Sequence, residues 1–285
     1  MNNNYACTIE DLRVIYDGFK LMIHHYEIPK GFVTGLVGKN GAGKSTLIRS
    51  LLGIISRNTG NIEILGMNFA DHTLEIKNRI GYVNDSFVFP PDANAQMMGR
   101  QIGQFYDQFD QAYYQQLLKK YNIDLRQKFK HFSKGMCAKF SIIFSMAHHA
   151  DFLVLDEPTA NLDPVSRREV LDLLYDMMQD EEKTILFSTH ITSDLDQIAD
   201  YVTLIDNGKI EFTLSKDELQ NKHQIVYIEG EIPQEMKSTL KGIRKTKNGY
   251  TALCTQSDQF SNTENIKFNK ASIEDLMVYW EINHD

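Results

Sequence analysis

Residues 38–46 read Gly-Lys-Asn-Gly-Ala-Gly-Lys-Ser-Thr, and no other stretch of the chain limits its fold so tightly. The run fits the pattern G-x-x-x-x-G-K-[ST], with Gly38, Gly43, Lys44 and Ser45 at the required places. Its glycines let the backbone curl until successive N–H groups point inward and form a nest for phosphate oxygens. Lys44 can reach the outer phosphates of a nucleotide, and the Ser45 hydroxyl is suited to ligating Mg²⁺. Residues 32–37 read as a strand entering the loop and residues 46–52 as a helix leaving it, whose N-terminus favours bound anions. A glycine-rich turn that binds nothing is the competing reading, and the strand and helix on either side weigh against it. The run therefore predicts a nucleoside triphosphate site, with Gly38, Asn40, Gly41, Ala42, Gly43, Lys44, Ser45 and Thr46 as its cradle.

The formal charge of −8, from 38 acidic and 30 basic residues, argues against a nucleic-acid partner. Cys7, Cys137 and Cys254 lie far apart without metal spacing, the usage expected in a reducing cytoplasm. The polar opening Met1-Asn2-Asn3-Asn4 is not a secretory signal, and no apolar run approaches the ~20 residues that cross a bilayer, so a soluble chain is expected. The pairs His24-His25 and His148-His149 are adjacent, which points neighbours to different faces, and no metal other than Mg²⁺ is expected.

Residues 5–37 read as β-strands, with only partial alternation over 8–14. Residues 60–66 and 79–83 read as strands flanking a polar helix at 73–78. From about 92 to 150 the chain turns rich in Gln, Met, Tyr and Phe at helical spacing, which predicts a helical subdomain inserted into an α/β core. Strands at 152–155, 184–188 and 201–205 then alternate with helices at 165–179 and 193–199, implying a doubly wound parallel sheet. Beyond residue 217 the pattern weakens. Strands at 224–229 and 249–254 and a helix at 272–280 predict a small α+β appendage over 218–285, joined through the polar stretch 215–223.

The apolar strand at 152–155 ends in Asp156-Glu157. A buried strand with an Asp at its tip sets that carboxylate near the phosphate loop, where it can hold Mg²⁺. Glu157 is then placed to polarise a water against the terminal phosphate as general base. Surface acids at a strand end are the plainer reading, and the loop upstream favours the functional one.

Asp156-Glu157-Pro158-Thr159-Ala160-Asn161-Leu162-Asp163-Pro164 resembles the Walker B motif and D-loop of ATP-binding-cassette (ABC) ATPases. Phe132-Ser133-Lys134-Gly135-Met136 stands where that family has its signature sequence, and His190 matches its switch histidine. Tyr16, 22 residues before Gly38, stands where the family has an aromatic that stacks on adenine. The resemblance covers about residues 5–215. It implies an ABC-ATPase fold of the P-loop NTPase class: a RecA-like α/β core with an antiparallel β subdomain and a helical subdomain over 1–217, followed by the appendage. It also implies ATP and Mg²⁺ as cofactors, with Ser45 and Asp156 as metal ligands, Glu157 and His190 as catalytic residues, and turnover of ATP. Two chains, identical or closely related, would clamp two nucleotides head to tail. Ser133 and Gly135 of one chain would cap the γ-phosphate held by the other, and Asp163 would reach across the interface. A separate transmembrane permease is the implied partner, which would hold the chain against the inner face of the cell membrane.

The chain departs from the family pattern at three points. Lys134 replaces a glycine and Met136 a glutamine in the signature. Lys134 either adds charge near the phosphates or points to solvent. Asp85 stands where the family has the Q-loop glutamine; it can still approach Mg²⁺ or a water, so it too is a candidate metal ligand. The signature form, Phe105-Tyr106, Phe109-Asp110 and residues 189–194 resemble a narrower group, bacterial exporter subunits of the drug-resistance and antimicrobial-peptide type. Phe87, Phe89, Met97 and Met98 are candidates for a groove that receives a helix of the permease, or else fill the helical subdomain's own core. An ABC ATPase without transport, and a nucleotide sensor without turnover, are the alternative functions.

Overall fold

The structure, a computed structural model, describes residues 4–16, 18–86 and 89–281. A six-stranded sheet runs through its middle in the order Lys209–Ser215, Tyr201–Asp206, Val33–Val37, Thr184–Ser188, Phe152–Asp156, Ile80–Asn84. Five of its strands are parallel, and Lys209–Ser215 is antiparallel at one edge. Every residue of Val33–Val37, Phe152–Asp156 and Thr184–Ser188 is buried. Layers cover both faces of such strands, which is why they read as continuous apolar runs without alternation.

One covering layer is a four-stranded antiparallel sheet, ordered Phe19–Pro29, Tyr5–Tyr16, Thr59–Ile64, Met67–Asn68. Strand Tyr5–Tyr16 buries Cys7 and Ile9, then Leu12 and Val14, so the inward positions switch from odd to even. The switch occurs at Asp11, which takes φ +47°, where pairing with Thr59–Ile64 shifts register. A bulge of this kind re-aims every side chain beyond it, and it accounts for the incomplete alternation of residues 8–14.

Between Ile80–Asn84 and Phe152–Asp156 lie the helices Ala95–Gln101, Gln111–Lys120 and Lys134–Ala147. Tyr114 and Phe140 are buried at their centre, and the Tyr114 hydroxyl donates to the Ala95 carbonyl at 2.9 Å. Helices Pro164–Met177 and Thr192–Ile198 complete the core.

The stretch 215–223, expected as a polar connector, is instead the helix Lys216–Lys222. Ser215 and Glu218 close a reciprocal capping box at its start. A second antiparallel sheet follows, ordered Leu240–Lys245, Gly249–Cys254, Gln224–Glu229, Ile266–Lys270, and then the helix Ile273–Glu281. Val226, Met236, Ala252 and Cys254 belong to a small cluster of their own. Ile225, Leu253, Ile273 and Leu276, in contrast, are buried in the same cluster as Leu195 and Val202 of the main core. Among the described residues no helix is long and apolar enough to cross a membrane.

Candidate nucleotide site

The loop after Val33–Val37 delivers its residues to helix Lys44–Leu51 through two glycines of positive φ, Gly41 at +82° and Gly43 at +113°. At Gly43 a side chain would also be crowded, since a Cβ would stand 3.0 Å from the Phe19 ring. Lys44 is buried, and its Nζ donates to the carbonyls of Gly38 at 2.7 Å and Lys39 at 3.3 Å, so the side chain lies across its own loop. Burial lowers the pKa of its ammonium, and the charges of Glu157 and Asp156 act in the opposite sense. The turn after Tyr201–Asp206 braces the loop from below. The Gly208 N–H donates to the Ala42 carbonyl at 2.9 Å, and Lys39 and Asp206 form an ion pair at 3.8 Å.

Tyr16, Asn40, Gly41, Gly43, Lys44, Ser45, Thr46 and Glu157 line one cleft of about 510 Å³. Phe19 lines it too, a residue that sequence reasoning did not single out; its signal was an aromatic three positions beyond Tyr16. Tyr16 is 45% exposed, which leaves its ring free to take a base. Gly38 and Ala42 act through their carbonyls beneath the loop rather than as lining.

The strand Phe152–Asp156 places Asp156 under the helix start, where the Ser45 hydroxyl donates to its Oδ1 at 3.2 Å. Asp156 is buried, and burial raises its pKa above the usual carboxylate range; the Ser45 hydrogen bond works against this and the Glu157 charge with it. A hydroxyl and a carboxylate converging in a buried, electronegative corner are oxygen donors of the kind Mg²⁺ takes. Glu157 follows with φ +56°, a conformation a non-glycine residue holds only when its surroundings impose it. Its N–H donates to the Ser188 carbonyl at 2.9 Å. Its Oε2 lies 2.6 Å from His190 Nδ1 and accepts from the His190 N–H at 3.3 Å.

Four expected site residues stand apart from this cleft. Asp85 is exposed and accepts from the Ser86 hydroxyl at 2.9 Å, while Asn84 is the residue paired in register with Asp156. Ser133 caps helix Lys134–Ala147, accepting from the Met136 N–H at 3.1 Å. Gly135 is buried and Lys134 is exposed. Asp163 caps helix Pro164–Met177, its Oδ1 accepting from the N–H groups of Val165 and Ser166 at 3.0 Å each. These hydrogen bonds, that of the Ser166 side chain first, lower its pKa.

A second, apolar groove of about 410 Å³ opens between the antiparallel sheet and the helices. Ile54, Phe69, Tyr82, Met98, Phe144 and His148 are among its lining. Phe89 lines it as well, stacks on Phe129 at 4.6 Å and meets Phe140 edge-on at 5.1 Å, so it serves both the groove and the helical core. Met97 is exposed and does not line it, and Phe87 lies outside the described residues.

The family model described as "ABC transporter" matches residues 21–160. The bacitracin transport ATP-binding protein BcrA of Bacillus licheniformis is 32% identical over 242 residues, covering 81% of this chain and 76% of that protein. The lantibiotic transport ATP-binding protein SrtF of Streptococcus pyogenes is 32% identical over 208 residues, covering 70% of this chain and 85% of that one. A solved ATP-binding subunit of an ABC transporter superposes with a TM-score of 0.67 at 25% identity, over 75% of this chain and 92% of that one. The chain belongs to the ATP-binding, ATP-hydrolysing subunits of ABC transporters.

Proposed function

We propose that this subunit powers export of an amphipathic peptide or drug through a separate transmembrane subunit, with ATP-driven closure of two ATP-binding chains as the stroke. The observation that carries the catalytic part is the 2.6 Å contact between Glu157 and His190 at the edge of a cleft that also holds Lys44 and Ser45. Glu157 takes the proton of the attacking water, and His190 holds that carboxylate in place and bonds the γ-phosphate. Ser45 and Asp156 would hold Mg²⁺, which when bound neutralises charge on the phosphates. Lys44 leaves the Gly38 carbonyl to meet the outer phosphates.

Ser133 uses its hydroxyl oxygen as a helix cap, which keeps its proton free for a phosphate oxygen of the opposite chain. Its place outside its own chain's cleft supports a site completed by a second copy or a close relative. The relatives' names, which attach bacitracin and a lantibiotic to transport, support a peptide cargo. Phenol-soluble modulins would be a cargo of that kind. The apolar groove suits an inserted helix of the permease, which would hold the chain at the inner face of the membrane. Residues 218–285 act as an appended module of the ATPase.

The test is the oligomeric state of the Glu157→Gln chain at saturating Mg·ATP, measured by sedimentation. A stable dimer is expected, with Ser133→Arg returning it to monomer while nucleotide stays bound. A monomeric Glu157→Gln chain would refute the closure.

A further inference from the structure

Asp194 is fully buried, and both of its carboxylate oxygens are taken. Oδ2 accepts from the Thr159 hydroxyl at 2.7 Å, and Oδ1 accepts from Arg167 Nε. Arg167 Nη2 also donates to the Ser193 hydroxyl at 2.6 Å. Three segments thus meet on one carboxylate. Thr159 is two residues beyond Glu157, Asp194 is four beyond His190, and Arg167 stands in helix Pro164–Met177. That same helix carries Ser166, packed on Gly135, and Glu169, whose Oε2 accepts from Lys139 Nζ of the signature helix at 2.6 Å.

A buried carboxylate is costly to desolvate, and apolar side chains of similar volume often hold a core as well. The pairing is therefore better explained by register than by stability. The site needs such register. Glu157 holds a backbone conformation that its surroundings must impose, and the His190 side chain is 55% exposed, so little packing orients its ring.

We propose that Asp194 is a positioning residue for hydrolysis. It locks the turn after Glu157, the loop carrying His190 and the helix that braces the signature into one body, so that the Glu157–His190 contact keeps its geometry while the dimer opens and closes. This rests on the reading of Glu157 and His190 as the hydrolytic pair.

The test compares Thr159→Val, which removes only the hydroxyl, with Thr159→Ser, which keeps it, in the full chain. Two readouts are used: kcat and KM for ATP, and the imidazole resonances of His190 in ¹⁵N-histidine-labelled protein. Thr159→Val is expected to lower kcat about tenfold with KM changed less than about threefold, as for a displaced catalytic group, and to shift the His190 resonances. Thr159→Ser is expected to restore both. Parental kcat and unmoved His190 resonances in Thr159→Val, or a Thr159→Ser chain as impaired as the valine variant, overturn the proposal. Should Thr159→Val not fold, the pair Arg167→Met with Asp194→Leu replaces the bracket by apolar volume. A folded double variant with depressed kcat supports the positioning role, and one with parental kcat overturns it. Turnover that survives Glu157→Gln would instead sink the hydrolytic reading, and the His190 resonances would still report on the bracket.

Discussion

A Cβ on Gly135 would stand 2.5 Å from the Cβ of Ser166. The signature helix Lys134–Ala147 therefore lies with its backbone against the side chain of helix Pro164–Met177. Glycine at this position has a packing reason that is independent of any phosphate contact. Gly135→Ala is expected to lower the unfolding free energy by about 1–3 kcal/mol through overpacking. Nucleotide affinity of the isolated chain should hold, because the P-loop cleft is elsewhere. Urea unfolding beside nucleotide titration separates the two effects, and unchanged stability would mean the helices part freely.

Asp156, proposed above as a Mg²⁺ ligand, is a group whose charge costs stability. A carboxyl whose pKa is higher folded than unfolded stabilises the fold fully below the unfolded value, and that contribution is lost as pH rises through the folded one. At neutral pH the ionised Asp156 is therefore a burden on the fold. Asp156→Asn keeps an oxygen for the Ser45 hydroxyl and is expected to gain about 1 kcal/mol at pH 7 while Mg²⁺-dependent hydrolysis is lost. A lower melting temperature for the variant at pH 7 would contradict this.

His148 and His223 set the acid limit. Both are buried, the first stacked on Tyr106 at 4.1 Å and the second beside Phe212 at 5.0 Å, and burial drops each pKa to about 4. A histidine with a depressed folded pKa stabilises the native state above its unfolded value, near 6.5, and that stability is lost as pH falls towards 4. Each contributes on the order of 3 kcal/mol when fully developed. Denaturation midpoints measured from pH 7 to 4 should fall steeply, and His148→Phe or His223→Phe should each flatten the curve.

Ile54 is 57% exposed on the rim of the apolar groove. Ile54→Asp is expected to abolish co-purification with the transmembrane subunit while changing chain stability by no more than about 0.5 kcal/mol. Phe89→Ala is the poorer probe, since loss of its two aromatic neighbours costs about 3 kcal/mol on its own account. A pull-down from membranes, with thermal melts of the purified chains, distinguishes a docking surface from a core position.

The phosphate-loop side of the cleft was legible in the sequence because its residues are local: residues 38–46 are one contiguous run, and Asp156 ends a single strand. What escaped is non-local or shared. Asp163, expected to reach across an interface, also caps its own helix through one carboxylate oxygen, a local role the motif did not announce. The Ser215–Glu218 capping box was present in the letters, but the polar composition around it masked a single turned-in residue, Leu219. The edge strand Lys209–Ser215 has no fully buried residue, so its hydrophobic signal is weak. Asp194 was invisible as a hub because its partners lie 35 and 27 positions away.

The tail helix Ile273–Glu281 rests on helix Thr192–Ile198, and position 242 admits no side chain because a Cβ there would meet the Tyr279 carbonyl at 2.3 Å. Cutting the chain after Lys222 would therefore strip Ile273 and Leu276 from the hydrophobic floor shared with Leu195. Such a deletion would yield a sticky, weakened protein rather than an unregulated one. Grafting this terminus onto a related cassette would succeed only if the recipient were recarved to receive it.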